Sequence, residues 1–275
     1  MTTATRSVVV HPDPDALAHA TAARLLTTIL DRLSVQESVH VVLTGGTIGI
    51  KALAAVAESP LVSAVDWSAV HLWWGDERFL PDGDPERNET QAREALLDSL
   101  GGLLPAHVHA VPAPGAAGVS TPEESAAVYS AELARFAPTV GSTDDSGAEG
   151  TGATAGTGPA VLHARLAIPT FDVVLLGMGP DGHVASLFPG HEALTADGTA
   201  VGVHGSPKPP PQRVSLTFGA ICQAREVWLV VAGSDKAPAV AKARAGASRA
   251  EVPAGSVTGT QRTLWLLDAA AATPD

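Results

Sequence analysis

Five near-continuous apolar runs constrain the fold more than any other feature of the chain. They are "VHVVL" (39–43), "VHLWW" (70–74), "FDVVLLGM" (171–178), "EVWLVVAG" (226–233) and "TLWLL" (263–267). None alternates apolar with polar residues. Strands of this kind must be covered on both faces, which means a mostly parallel sheet with helices on each side. A sixth run, "SVVVH" (7–11), also reads as a short buried strand. Helical patterns fall between the runs. In "DPDALAHATAARLLTTILDRL" (13–33), Asp13 stands at a capping position, Pro14 suits the first turn, and Leu17, Leu25, Leu26, Ile29 and Leu33 recur at helical spacing. "TIGIKALAAVA" (47–57), "RNETQAREALLDSL" (87–100), "STPEESAAVYSAELARF" (120–136) and "SDKAPAVAKARA" (234–245) predict further helices. Asn88 is expected to cap the first residues of its helix, and Thr121 to Glu124 has capping-box spacing.

The alternation predicts a single doubly wound, Rossmann-like α/β domain over residues 1–275, with ligands bound beyond the carboxyl ends of the strands. Two segments break the pattern. Residues 139–160 are rich in Gly, Thr, Ser and Ala and are expected to form a flexible surface loop. "HGSPKPPPQRVSL" (204–216) is expected to be an extended loop leading into a short strand.

Composition removes several function classes. With 17 Lys and Arg against 29 Asp and Glu, the net charge is -12. A nucleic-acid binder needs a basic face, so none is expected, although a small anionic ligand stays open. The single cysteine, Cys222, excludes an intrachain disulfide and lies in an apolar segment that suits a buried thiol. No signal peptide is evident, and no apolar run approaches the ~18 residues of a membrane span. A soluble, cytoplasmic, monomeric protein is expected, with no membrane partner.

Three clusters fall just after predicted strands, and so on one edge of the sheet. Thr44, Gly45, Gly46 and Thr47 separate a strand from a helix. Glycines there let backbone N–H groups reach a phosphate, but the same glycines also serve a tight turn. The segment is neither a Walker loop nor a dinucleotide fingerprint. Asp76, Glu77 and Arg78 follow "VHLWW" and read either as polar substrate contacts or as a surface ion pair. Asp181 and His183 lie between glycines in "GMGPDGHVASLFPGH" (177–191), where an imidazole with an ordinary pKa of about 6.5 suits proton transfer. A locally bonded loop histidine is the plainer alternative. His183 and His191 are eight apart, with no thiolate or tight histidine pair, so no metal is expected. Arg213 and Lys236 are two further cations near strand ends.

"LTGGT", "WWGDERF", "RNETQAREALL", "GMGPDGHVASLFPGH", "RVSLT" and "GSDK", in that order, resemble the 6-phosphogluconolactonase family from about Val39 to Leu267. The resemblance implies hydrolysis of 6-phospho-D-glucono-1,5-lactone to 6-phospho-D-gluconate, a step of the oxidative pentose phosphate pathway, without a cofactor. It implies the fold of the glucosamine-6-phosphate deaminases. It assigns His183 as the general base, and Asp181 as the group that fixes the ring or the sugar hydroxyls. Arg78 is expected to steady the substrate or the oxyanion, and Asp76 to hydrogen-bond the sugar hydroxyls. The phosphate is expected to lie on Gly45, Gly46 and Thr47, with Thr44 beside them and Arg213 and Lys236 as counter-charges. Two positions stand out, the first against the deaminases and the second against the lactonase pattern itself. In the related deaminases a Glu-Pro follows the Asp-Gly-His loop, where this chain has Phe188-Pro189. The family's usual Ser-Thr-Pro after the glycines is Thr47-Ile48-Gly49 here.

Overall fold

The computed structural model describes residues 4–138 and 166–273, so the loop expected at 139–160 lies outside the described residues. Ten strands are present among these: β1 (Thr5–His11), β2 (Val39–Leu43), β3 (Val70–Trp74), β4 (Asp76–Arg78), β5 (Val108–His109), β6 (Val173–Leu176), β7 (Ala200–Val203), β8 (Arg213–Leu216), β9 (Glu226–Val231) and β10 (Arg262–Asp268). The helices are α1 (Pro14–Leu33), α2 (Gly46–Glu58), α3 (Asn88–Ala95), α4 (Pro122–Arg135), α5 (Phe218–Ile221), α6 (Ala237–Arg244) and α7 (Ala269–Ala272). Seven strands form one sheet in the order β1-β10-β9-β6-β2-β3-β5, parallel throughout. The strand order reverses between β2 and β6. Strands β3, β6 and β9 are buried at every residue, as continuous apolar runs require.

The helix signals act as their chemistry suggests. The Asp13 side chain accepts from the Ala16 N–H, and Leu17, Leu25, Leu26 and Ile29 bury one face of α1. Thr121 and Glu124 form a reciprocal capping box at α4. Two expectations need correction. "SVVVH" is not buried: β1 is an edge strand, and Val8 and Val10 are 38% and 52% exposed. An apolar run reads the same whether or not an outer neighbour covers it. Asn88 is not the cap of α3. Arg87 occupies that place, and Asn88 is the first helical residue, its backbone N–H donating to Glu77 Oε1 at 2.7 Å.

A second sheet, absent from the sequence reading, shapes the carboxyl edge. At Gly75 the chain leaves the main sheet: its N–H still donates to the Leu43 carbonyl at 3.0 Å, but its own carbonyl accepts from Leu216 at 2.8 Å. The next three residues, β4, pair antiparallel with β8, which pairs antiparallel with β7. This small sheet stands over the end of the large one.

Four histidines gather at the opposite, amino end of β2, β3 and β5. His71 stacks on His40 and His107 at 4.6 and 3.8 Å, and His109 stacks on Trp73 at 3.8 Å. His71 Nδ1 and His109 Nε2 share a hydrogen bond at 3.0 Å; His109 Nδ1 meets Glu132 at 3.0 Å, and Arg135 is close by. Burial pulls His40 down to about 3 and His71 to about 4, with the neighbouring imidazoles adding to the effect. These bases are neutral in the fold at pH 5, whereas an unfolded histidine protonates below about 6.5. The unfolded chain therefore binds more protons, and stability is lost as pH falls from about 6.5 toward 4. Urea unfolding of the native chain and of His71→Gln across pH 7 to 5 checks this. The variant is expected to lose less, by about 1.4 kcal/mol per pH unit for one histidine; equal slopes would contradict the burial argument.

Candidate active site

The loops after β2, β3, β6 and β9 meet at the carboxyl edge, around the reversal between β2 and β6. They enclose a cleft of about 640 Å³. Parallel sheets bind ligands at this place, because neighbouring loops diverge there and leave a crevice. Thr44, Gly45, Gly46, Thr47, Asp76, Arg78, His183, Arg213 and Lys236 all line it. Asp181 stands behind His183 rather than on the wall.

The glycine turn leads directly into α2. Thr44 Oγ1 accepts from the Gly177 N–H at 3.1 Å, which ties this turn to the loop after β6. Gly46 has φ +78°, in the left-handed region that favours glycine. No side chain caps α2, and its first turn carries no acid. Its free N–H groups and the positive end of the helix dipole suit an anion.

Strand β4 sorts its three charges by the two-residue alternation of a strand. Asp76 and Arg78 line the cleft, and Glu77 turns away. Asp76 is 8% exposed; its Oδ2 accepts from Ser186 Oγ at 2.6 Å and lies 3.9 Å from Arg213 Nη1. Ala185, next to Ser186, takes φ +50°, an uncommon backbone state for alanine that turns the chain inward here. Glu77 accepts from the N–H groups of Arg78, Asn88 and Glu89 at 2.7–2.9 Å. Burial pushes its carboxyl up to about 7, against the pull of Arg87 and those donors. Arg78 and Arg213 sit directly opposite each other across β4 and β8. Like charges so placed repel, and Arg78 Nε is buried without a partner among the described residues. An anion in the cleft would relieve both.

The loop after β6 carries the imidazole. His183 Nδ1 meets Asp181 Oδ1 at 2.5 Å, so Nε2 is the nitrogen left for the cleft. Burial alone would raise the Asp181 carboxyl, but the hydrogen bond and charge of His183 outweigh it and hold it below the ordinary carboxylate range. The ring packs against Phe188 at 4.5 Å. Gly179 makes room for this pair: a Cβ there would fall 2.1 Å from His183 Cε1.

Sequence reasoning missed Lys51, Asn88, Lys208 and Ser186; the first three also line the cleft. Lys51 lies one helical turn beyond Thr47, a spacing that was there to be used; it pairs with Asp15. Lys208 carried no such signal. Arg213 donates to the carbonyls of Lys208, Pro209 and Pro210 at 3.1–3.2 Å and so holds the Pro-rich loop in place. Burial lowers the Lys208 pKa; Lys236 and Arg213 add to this, while Asp181 and Asp235 oppose it. Among the described residues, five cations thus line the cleft of a chain with net charge -12. Among the described residues, no group of three or more His, Cys, Asp or Glu is arranged to hold a metal ion. Nor is any described helix long and apolar enough to cross a membrane.

A family profile described as glucosamine-6-phosphate isomerases/6-phosphogluconolactonase matches residues 12–265. The chain belongs to that family. Relatives in this isomerase/lactonase family include a 6-phosphogluconolactonase of Streptomyces coelicolor, 51% identical, over 98% of this chain and 94% of the relative. Another, from Mycobacterium leprae, is 42% identical over 97% of each chain. Among solved structures, the 6-phosphogluconolactonase of Trypanosoma brucei is similar with a TM-score of 0.76 and 25% identity, over 98% of each chain. A monomeric glucosamine-6-phosphate deaminase is similar with a TM-score of 0.71 and 16% identity, over 97% of this chain and 98% of its own. The fold is therefore shared between two activities, and the cleft must decide between them.

Proposed function

We propose that the protein hydrolyses 6-phospho-D-glucono-1,5-lactone to 6-phospho-D-gluconate. One observation carries the choice. Among the described residues His183 is held by one carboxylate, Asp181, and its ring packs on Phe188, which is 3% exposed. Phe188 stands where the resemblance puts a glutamate in the deaminases. Opening an amino sugar and releasing its amine needs that extra acid–base group, whereas a lactone is already an activated ester. The names borne by the relatives at 51% and 42% identity support the same reading.

The chemistry follows from the cleft. The Asp181 hydrogen bond fixes Nδ1 as the protonated nitrogen and leaves Nε2 basic. Nε2 takes a proton from water as the water oxygen bonds to C-1. The carbonyl electrons move to the former carbonyl oxygen, and Arg78 steadies that oxyanion, an effect worth about 3 kcal/mol for one donor. Collapse breaks the bond from C-1 to the ring oxygen, which takes the proton back from Nε2. No acyl-enzyme forms. Asp76, oriented by Ser186, accepts sugar hydroxyls. The phosphate rests on Gly45, Gly46 and Thr47, faced by Lys208 and Lys236. Arg213 acts partly through the loop that it holds.

The discriminating experiment offers the purified chain both substrates. Acid release from the phosphorylated lactone well above the spontaneous rate is expected, with no ammonia from glucosamine 6-phosphate. Ammonia release without lactone hydrolysis would overturn the assignment.

A further inference from the structure

Asn88 is 2% exposed and lies between two parts of the cleft. Its Nδ2 donates to the Asp76 carbonyl at 2.8 Å, and that acceptor fixes which end of the amide is nitrogen. Oδ1 points the other way, toward the glycine turn, and has no hydrogen-bond partner among the described residues. A Cβ on Gly45 would fall 1.9 Å from that oxygen. The amide oxygen thus occupies the space a side chain at residue 45 would need. A buried, unpartnered amide oxygen costs stability, so its retention at the rim of a binding cleft calls for a reason.

The geometry points to Asn88 as a positioning residue, a strut that sets the separation between the phosphate-binding turn and the Asp76 strand. One end of the amide is bonded to β4, and the other bears on the Cα of Gly45. Its backbone N–H is held in turn by Glu77, so the strut stands on a buried carboxylate. The two glycines of the turn then have different reasons. Gly46 is required by its positive φ, and a Cβ there would meet nothing within 4 Å. Gly45 is not in that conformation; it is required by Asn88. The ligand assigned to the turn rests on the lactonase reading, but the mechanical coupling does not.

Two readouts test the strut. In kinetics, Asn88→Ala is expected to raise KM for the phosphorylated lactone about tenfold while kcat stays within about threefold, because the reacting end is untouched. KM for unphosphorylated gluconolactone should barely change. A fall in kcat at unchanged KM, or equal losses on both lactones, would overturn the proposal. In melting temperature, Gly45→Ala should be strongly destabilising in the native chain and much milder in the Asn88→Ala background, since the clashing oxygen is gone. Additive shifts in melting temperature would also overturn it. A native chain inert toward the lactone defeats the functional reading alone, because the melting temperatures still judge the strut.

Discussion

Replacing His183 by glutamine is expected to lower kcat by about 10²–10⁴, the range a positioned general base supplies, with KM nearly unchanged. Glutamine keeps a polar group of similar reach beside Asp181 but cannot accept water's proton at neutral pH. The effect is large because, among the described residues, nothing else on the cleft wall duplicates the imidazole. Asp181 is already engaged with Nδ1, and Asp76 is bonded to Ser186 and faces Arg213. Asp181→Asn should also lower kcat, because the amide no longer fixes the tautomer with Nε2 free. Stopped-flow measurement of acid release, with melting temperature as the control for folding, checks both. A His183→Gln protein with native turnover would remove the histidine from the mechanism.

The second large effect concerns the phosphate. Replacing both Lys208 and Lys236 by alanine is expected to raise KM for the phosphorylated lactone by about 10²–10⁴. A hydrogen bond to a charged group contributes about 1.5–3 kcal/mol, and two are lost. Plain gluconolactone, which carries no phosphate, should be hardly affected. The expected selectivity has an electrostatic basis. Burial is the main difficulty in keeping Lys208 charged; Lys236 and Arg213 add to it, while Asp181 and Asp235 oppose it. A phosphate dianion beside Lys208 would favour its charged form and so offset part of that cost. Steady-state kinetics on the two lactones gives the comparison. Equal losses on both would place these lysines in general scaffolding rather than in phosphate recognition.

Much of the architecture was legible because its signals are local. The continuous runs at 39–43, 70–74, 171–178, 226–233 and 263–267 could only be covered strands, and the glycine and charge clusters after them fell on one edge for that reason. What escaped depends on partners distant in sequence. Strands β4 and β8 are three and four residues long, carry charges and lie some 135 residues apart, too short and polar to announce a sheet. Lys208 reaches the cleft only because Arg213 gathers the carbonyls of a proline run. Ser186 matters through Asp76, 110 residues earlier. Asn88 has the side chain of a helix cap, and local reasoning gave it that task. In the fold the capping position goes to Arg87, and the Asn88 amide faces Asp76 and Gly45 instead. The apolar β1 misled for the converse reason, since edge and interior strands are spelled alike.

The measurement that bears most directly on the account follows the lactone itself. The phosphorylated lactone is generated in place, and its disappearance is timed with the native chain, with His183→Gln and with no protein. The account expects fast consumption by the native chain alone, with the variant close to the spontaneous rate. A native chain no faster than buffer would contradict it.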